Sequence, residues 1–340
     1  MIYPWQSDLW RQLLARPETL PHALLLYGPR GIGKRDFAVA LAAALLCERP
    51  APEGEACGEC PACHWFSQGS HPDFRQLDPE KEEETEVGED DAKPEKKGAR
   101  LINVAQIRQL ADFVALSTHR GGRRVVLIHP AEAMNVQAAN ALLKTLEEPT
   151  PDTVFVLVTH QLPRLLPTLR SRCRKVAMPS PRRDEAARWL AGQGVADAAG
   201  LLALAGYAPL LARELAEKDA LARHDAFIEA IAAPERLDPI ALAESFKAHG
   251  VGEIIGWLQK WLYDLASVRL AGEARYHPAR IGALAALARR VAMPRLLAFQ
   301  RELLAARAAA EHPLNSQLVL EGLLFSLANL TDKKQVIPHG

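Results

Sequence analysis

The segment Gly28-Pro29-Arg30-Gly31-Ile32-Gly33-Lys34-Arg35 constrains this chain more than any other. It matches the phosphate-cradling P-loop, G-x-x-x-x-G-K followed by Ser or Thr, up to the last position, where Arg35 stands. The apolar run Ala23 to Tyr27 just before it predicts a buried parallel strand. The Ala- and Leu-rich run Asp36 to Cys47 just after it predicts a helix. Strand, glycine loop, helix is the context the motif requires. Arg35 removes the hydroxyl that normally holds magnesium.

The rest of the chain extends that start into an α/β module. Trp5, Leu9, Trp10, Leu13 and Leu14 fall at helical spacing ahead of the first strand. His71-Pro72-Asp73-Phe74 opens a short strand, and residues 101–116 have helical periodicity. After the Gly121-Gly122 turn, Val125 to Ile128 is a β-branched run that predicts a strand buried on both faces. His129 and Pro130 follow it, where a P-loop ATPase carries an acid that helps hold magnesium. Glu132 lies further on, too far from the strand end to replace that acid. Residues 133–148 predict a helix closed by Pro149, and Val154 to Val158 predicts a further buried strand ending at Thr159-His160. Leu165 to Leu169 is helix-like, and Val176 to Met178 is strand-like. Past Pro179 and Pro181 the pattern is helical to about residue 330. The predicted architecture is α/β first and all-α afterwards.

Four of the five cysteines lie in one window, Cys47, Cys57, Cys60 and Cys63. Four thiolates fill a tetrahedral zinc shell and leave no position for a reacting water, so the expected site is structural zinc. Free cytosolic thiols, or an iron–sulfur cluster with the same ligand count, are the alternatives. Nothing else in the sequence points to redox chemistry, which favours zinc. His64 and His71 are spare ligands only. Residues 78–98 are acidic, then Lys-rich, and nearly without apolar side chains, so a disordered solvated insertion is expected there. With 41 basic and 41 acidic residues the formal charge is zero, which gives no global field for nucleic acid. No apolar run reaches membrane-spanning length, and a soluble cytoplasmic protein is expected.

With those stretches in place, the chain resembles the AAA+ clamp-loader family of bacterial DNA polymerase III. The P-loop-like segment, the four-cysteine window, Ser70-His71-Pro72-Asp73 and Asn140-Ala141-Leu142-Leu143-Lys144-Thr145-Leu146-Glu147-Glu148-Pro149 carry the likeness. Ser171-Arg172-Cys173 is its most diagnostic part, and Asn315 to Leu324 is similar to the end of the family's collar. The resemblance implies an AAA+ domain over 1–178, a helical lid over 179–216 and an all-helical collar over 217–340. It implies a hetero-pentamer of clamp-loader subunits joined through their collars. That complex is part of the DNA-directed DNA polymerase holoenzyme and places the sliding clamp on primer–template DNA.

The resemblance also implies a division of labour. Gly28, Gly31, Gly33 and Lys34 keep a degenerate cradle. Such a cradle could hold a nucleotide or phosphate through backbone N–H groups and the helix N-terminus, without magnesium. Arg35 cannot coordinate a cation, because guanidinium has no lone pair to give. Pro209, in Gly206-Tyr207-Ala208-Pro209, stands where the family's lid carries a nucleotide-sensing Arg. Hydrolysis by the isolated chain is therefore not expected. Arg172 matches the family's arginine finger, which acts in a neighbour's ATP pocket. The alternative is an active ATPase subunit with an unusual magnesium site built around Glu132. A zinc-centred DNA-binding module is a third reading, disfavoured by the neutral charge.

Overall fold

The computed structural model describes residues 1–81, 100–116, 118, 122–217, 220–309 and 316–331. Most of the predicted acidic insertion, residues 82–99, lies outside the described residues. The chain divides into two compact units, Met1–Glu185 and Ala186–Gly340.

The first unit is built on a five-stranded, wholly parallel sheet. Its strands are β1 (Ala23–Tyr27), β2 (Phe74–Leu77), β3 (Arg124–Ile128), β4 (Thr153–Thr159) and β5 (Arg174–Ala177). They lie in the order β2-β3-β4-β1-β5. The sheet core is hydrophobic without alternation because both faces are covered. Alternate residues still sort to opposite faces, as the period of two demands. Leu24, Leu26, Val125, Leu127, Val154, Val156 and Val158 pack with α1 (Ser7–Leu14) and α2 (Lys34–Leu46). Ala23, Leu25, Val126, Ile128, Phe155 and Leu157 pack on the other face with α4 (Val104–Ala115), α5 (Val136–Glu147) and α6 (Pro167–Arg172). Between α2 and β2 lies the short α3 (Pro61–Ser67).

Local sequence explains where these helices begin. Asn103 and Gln106 form a reciprocal capping box on α4, and the Asn135 side chain accepts from Ala138 N at 2.8 Å on α5. The buried Arg124 begins β3 and donates to the Val114 and Leu116 carbonyls, with its guanidinium 3.6 Å from the Asp73 carboxylate. That contact ties the starts of β2 and β3 to the end of α4. Because the strands are parallel, the polar ends of β1, β3 and β4 open on one edge, where such sheets place their ligands.

Two edge details differ from the sequence expectation. The last strand spans Arg174–Ala177 rather than 176–178, since β1 lends a partner to the polar residues before Val176. The helix expected at 165–169 runs over Pro167–Arg172, starting at a proline suited to a first helical turn.

The second unit is helical among its described residues. Ala186, Leu190, Leu201, Leu202 and Ala212 form a small core among α7 (Arg183–Gly192), α8 (Ala198–Leu204) and α9 (Pro209–Glu217). A larger core surrounds α12 (Val251–Ala271), with Trp257, Leu258, Trp261 and Leu265 buried. It takes in α10 (Ala220–Ile231), α11 (Pro239–Ser245), α13 (Ile281–Arg290), α14 (Met293–Ala309) and α15 (Ser316–Ala328). Inside this core, the fully buried Asp264 accepts from the backbone N–H groups of Arg275, Tyr276 and His277. It also contacts His277 Nδ1 at 2.8 Å, and His277 Nε2 lies 3.2 Å from His224 Nε2. Among the described residues no single helix is long and apolar enough to cross a membrane.

Candidate functional site

The P-loop lies between β1 and α2, at the ligand edge of the sheet. Gly31 and Gly33 have φ of 78° and 84°, a left-handed backbone that favours glycine. Gly33 is held from outside as well: a Cβ there would lie 2.4 Å from the Tyr3 ring. Tyr3 stacks on Trp5 and donates its hydroxyl to the Asp36 carboxylate at 2.7 Å. Trp5 Nε1 and Gln6 Nε2 donate to the Ile32 carbonyl, and Gln6 Nε2 also to that of Gly33. The N-terminal residues thus strap the loop. Sequence reasoning missed Tyr3 and Gln6, and saw in Trp5 only a helical apolar position.

Lys34 is buried, and its ammonium turns back into the loop. Nζ donates to the Gly28 carbonyl at 2.8 Å and to the Pro29 carbonyl. Burial lowers its pKa to about 8, against the raising effect of Glu132 and with a further lowering by Arg30. Arg35 is exposed on the first turn of α2.

Glu132 is closer to this site than its sequence position implied. The turn Ala131–Ala133 folds back, and Glu132 Oε1 accepts from His160 N at 2.9 Å. Its other oxygen, Oε2, is buried without a hydrogen-bond partner. His129 and His160 meet edge-to-face with ring centroids 5.3 Å apart. Burial lowers both, His160 to about 4 with Lys34 adding to the effect, so both rings are neutral at pH 7. The edge therefore brings together the Glu132 carboxylate, two neutral imidazoles and a lysine tied to its own loop, with Asp78 just past the end of β2 also acting on His129.

Ser171-Arg172-Cys173 closes α6, and each residue has its own task. Cys173 is buried in the core shared with α5, where burial pushes its thiol up to about 11 and keeps it a neutral packing group. Ser171 Oγ donates to the Thr168 carbonyl at 2.9 Å. Arg172 projects between them with about a third of its side chain exposed. Its Nη1 donates to the same Thr168 carbonyl at 3.0 Å and its Nη2 pairs with Glu147 Oε1. Gly206 and Tyr207 lie in the second unit, both with φ near 66°, and Pro209 is the first residue of α9.

The four predicted thiols converge. The sulfurs of Cys47, Cys57, Cys60 and Cys63 all lie within 4.8 Å of one another, and none is in a disulfide. The Sγ–Sγ separations are 3.5 Å for Cys47–Cys57 and 3.9 Å for both Cys47–Cys60 and Cys57–Cys63. A tetrahedron with metal–sulfur bonds of about 2.3 Å has edges of about 3.8 Å, so the set has the dimensions of a four-coordinate metal site. Backbone N–H groups of Cys57, Cys60 and Cys63 point at sulfurs of the cluster. Burial alone would raise Cys60, but the Cys63 N–H and its neighbours outweigh it and bring that thiol to about 6. Cys63 is pushed up to about 12 by burial and by the adjacent thiols. Of the spare histidines, His71 accepts from Asp73 N through Nδ1, and His64 is exposed outside the cluster.

A parallel sheet with its P-loop after β1, followed by helical bundles, defines a P-loop module of the AAA+ type. Two family models divide the chain between them: "DNA polymerase III, delta subunit" over residues 5–182, and its C-terminal counterpart over 218–329. The DNA polymerase III subunit delta' of Pseudomonas aeruginosa is 40% identical, covering 97% of this chain and 98% of its own. The Yersinia pestis subunit delta' is 33% identical over 88% of this chain and 87% of its own. A solved gamma subunit-related protein of DNA polymerase III from Thermotoga maritima is 19% identical, with a TM-score of 0.42 over 96% of this chain and 99% of that one. The chain belongs to the DNA polymerase III delta' family.

Proposed function

We propose that this chain is a non-hydrolysing subunit of the bacterial clamp loader, and that it completes a neighbour's ATP pocket with Arg172. One contrast carries the reading. The chain's own P-loop has an exposed Arg35 in place of the magnesium-binding hydroxyl and a Lys34 tied to its own carbonyls. The Ser171-Arg172-Cys173 tripeptide, by comparison, anchors both flanks and leaves the arginine outward. A guanidinium delivered from a neighbour stabilises charge on a transferring phosphoryl group and can be worth about 10³–10⁵ in rate.

In this reading residues 179–216 act as a lid and residues 217–340 as a collar that joins the subunits. Sliding clamp and primer–template DNA are met through the complex, in the bacterial cytoplasm. The four thiolates hold a structural zinc ion, for which their number, soft sulfur chemistry and spacing are suited.

The test is magnesium-dependent ATP turnover by the isolated chain and by the reconstituted loader. The isolated chain is expected to be inactive. In the complex, Arg172→Ala is expected to abolish turnover at the pocket it serves while assembly persists. Normal turnover and clamp loading by that complex would refute the finger. The unpartnered Glu132 Oε2 favours one second reading, an ATPase with a relocated magnesium site. Turnover by the isolated chain that is lost in Lys34→Ala would establish it instead.

A further inference from the structure

We infer that Glu147 is the positioning residue for Arg172, holding the guanidinium in the pose from which it would enter a neighbour's pocket. The inference rests on Arg172 being the trans-acting finger and adds the group that orients it.

Arginine is long and costs side-chain entropy to fix, but its planar fork is rigid once two of its nitrogens are gripped. Here the grips come from different elements. Thr168 O takes Nη1 from within α6, and Glu147 Oε1 takes Nη2 from the end of α5. The roots of both grips are anchored in the core. Leu146 beside Glu147, and Leu169 and Cys173 around Arg172, are buried in one core. Two contacts define the plane of the guanidinium, and its remaining N–H donors stay available for an incoming anion.

The location of Glu147 argues for a purpose beyond stability. Glu147 is the last residue of α5, followed by Glu148. Carboxylates there oppose the helix dipole, which favours cations at that end. A pair whose side chains are 35% and 47% exposed returns little stability to the fold. A locally unfavourable charge with no compensating gain in stability is a mark of a functional position.

A carboxylate beside the finger also weakens its pull on a distant phosphate. Any benefit must therefore come through geometry in the transition state, which appears in kcat rather than in KM for ATP. The experiment uses the reconstituted loader with Arg172→Ala, Glu147→Gln, Glu147→Ala and the double variant Arg172→Ala/Glu147→Ala, with assembly checked by size-exclusion chromatography. The readout is the Arg172-dependent share of turnover, wild type minus Arg172→Ala, at saturating ATP. Glu147→Ala is expected to cut that share about fivefold, the scale of an exposed ion pair. Glu147→Gln, which keeps an oxygen acceptor, is expected to restore part of it. KM should not move, and Glu147→Ala should add nothing to Arg172→Ala. If Arg172→Ala itself changes nothing, the finger reading fails, and this inference with it. If Arg172→Ala depresses turnover but Glu147→Ala does not, the inference alone is overturned. An equal loss from Glu147→Ala in both backgrounds overturns it too, by assigning Glu147 a general structural role.

Discussion

Lowering the pH from 7 to 5 should destabilise the second unit through one side chain, His224. The ring is buried, stacked on His277 with centroids 5.1 Å apart, and edge-on to Trp257. Its Nδ1 lacks a hydrogen-bond partner; the Asp225 carboxylate is 3.6 Å away, beyond hydrogen-bonding reach. Burial lowers its pKa to about 3, and the nearby His277, Lys260 and Arg280 add to the effect. The unfolded chain has the ordinary histidine value of about 6.5. Between these values the unfolded state binds a proton that the folded state refuses, so stability falls as pH drops below about 6.5. At pH 5 the linkage amounts to RT ln(1 + 10^1.5), about 2 kcal/mol, and near pH 7 it is about 0.2 kcal/mol. The figure at pH 5 is set by the unfolded value, because the folded group is neutral there. A loss of that size should lower Tm by about 4–8 °C. Hydrogen exchange over residues 220–231 and 251–271 would report this unit separately. His224→Gln keeps a polar group facing His277 but cannot titrate. Its protection should fall by about 2 kcal/mol less than wild type between pH 7 and 5. An identical fall in both proteins would show that His224 does not control the transition.

Two further perturbations probe the first unit. Gly33→Ala places a Cβ at a φ of 84° and 2.4 Å from the Tyr3 ring, which is pinned through its hydroxyl to Asp36. It should cost about 1–3 kcal/mol, read by denaturant unfolding, and expose the loop amides and the strap to faster hydrogen exchange. Cys60→Ser removes a buried sulfur that takes an N–H bond from Cys63. Bound zinc, measured by elemental analysis, should drop from one per chain towards none, with proteolysis beginning within residues 47–67. Wild-type metal content in that variant would rule out the four-thiolate shell.

How much of this was visible in the sequence depended on how local the cause was. Strands β1, β3 and β4 were legible because burial on both faces turns each into an unbroken apolar run. The exposed Arg174 and Lys175 of edge strand β5 hid its start, since pairing with β1 leaves no trace in composition. The cysteine window was legible because its ligands cluster within seventeen residues of chain, from Cys47 to Cys63. Glu132 was discounted on linear distance, and a single turn of 3-10 helix brings it back to the site. The Tyr3–Gln6 strap and the Glu147–Arg172 pair join residues about 25–30 positions apart, with side chains of ordinary type. Asp264, His277 and His224 lie 13 and 53 positions apart, and their partnership exists only after α10 and α12 pack. Patterns of spacing report faces of single elements, and these sites are made by pairs of elements.

The conformation of Lys34 sharpens what a P-loop without its hydroxyl means. In a working cradle the ammonium is directed at phosphate, with the metal ion taking part of the same charge. Here Nζ is satisfied by the Gly28 and Pro29 carbonyls. A phosphate would have to break those bonds and compete with the Glu132 carboxylate for the same cation. The Tyr3, Trp5 and Gln6 contacts meanwhile hold the loop from its other side. The Gly28, Pro29, Ile32 and Gly33 carbonyls and the lysine are thus engaged by the chain itself. Lys34 therefore has a structural role within the loop itself. Arg172 differs on the same physical grounds: its two grips lie near the surface and engage only part of its fork, so N–H donors remain for another molecule while the guanidinium is held.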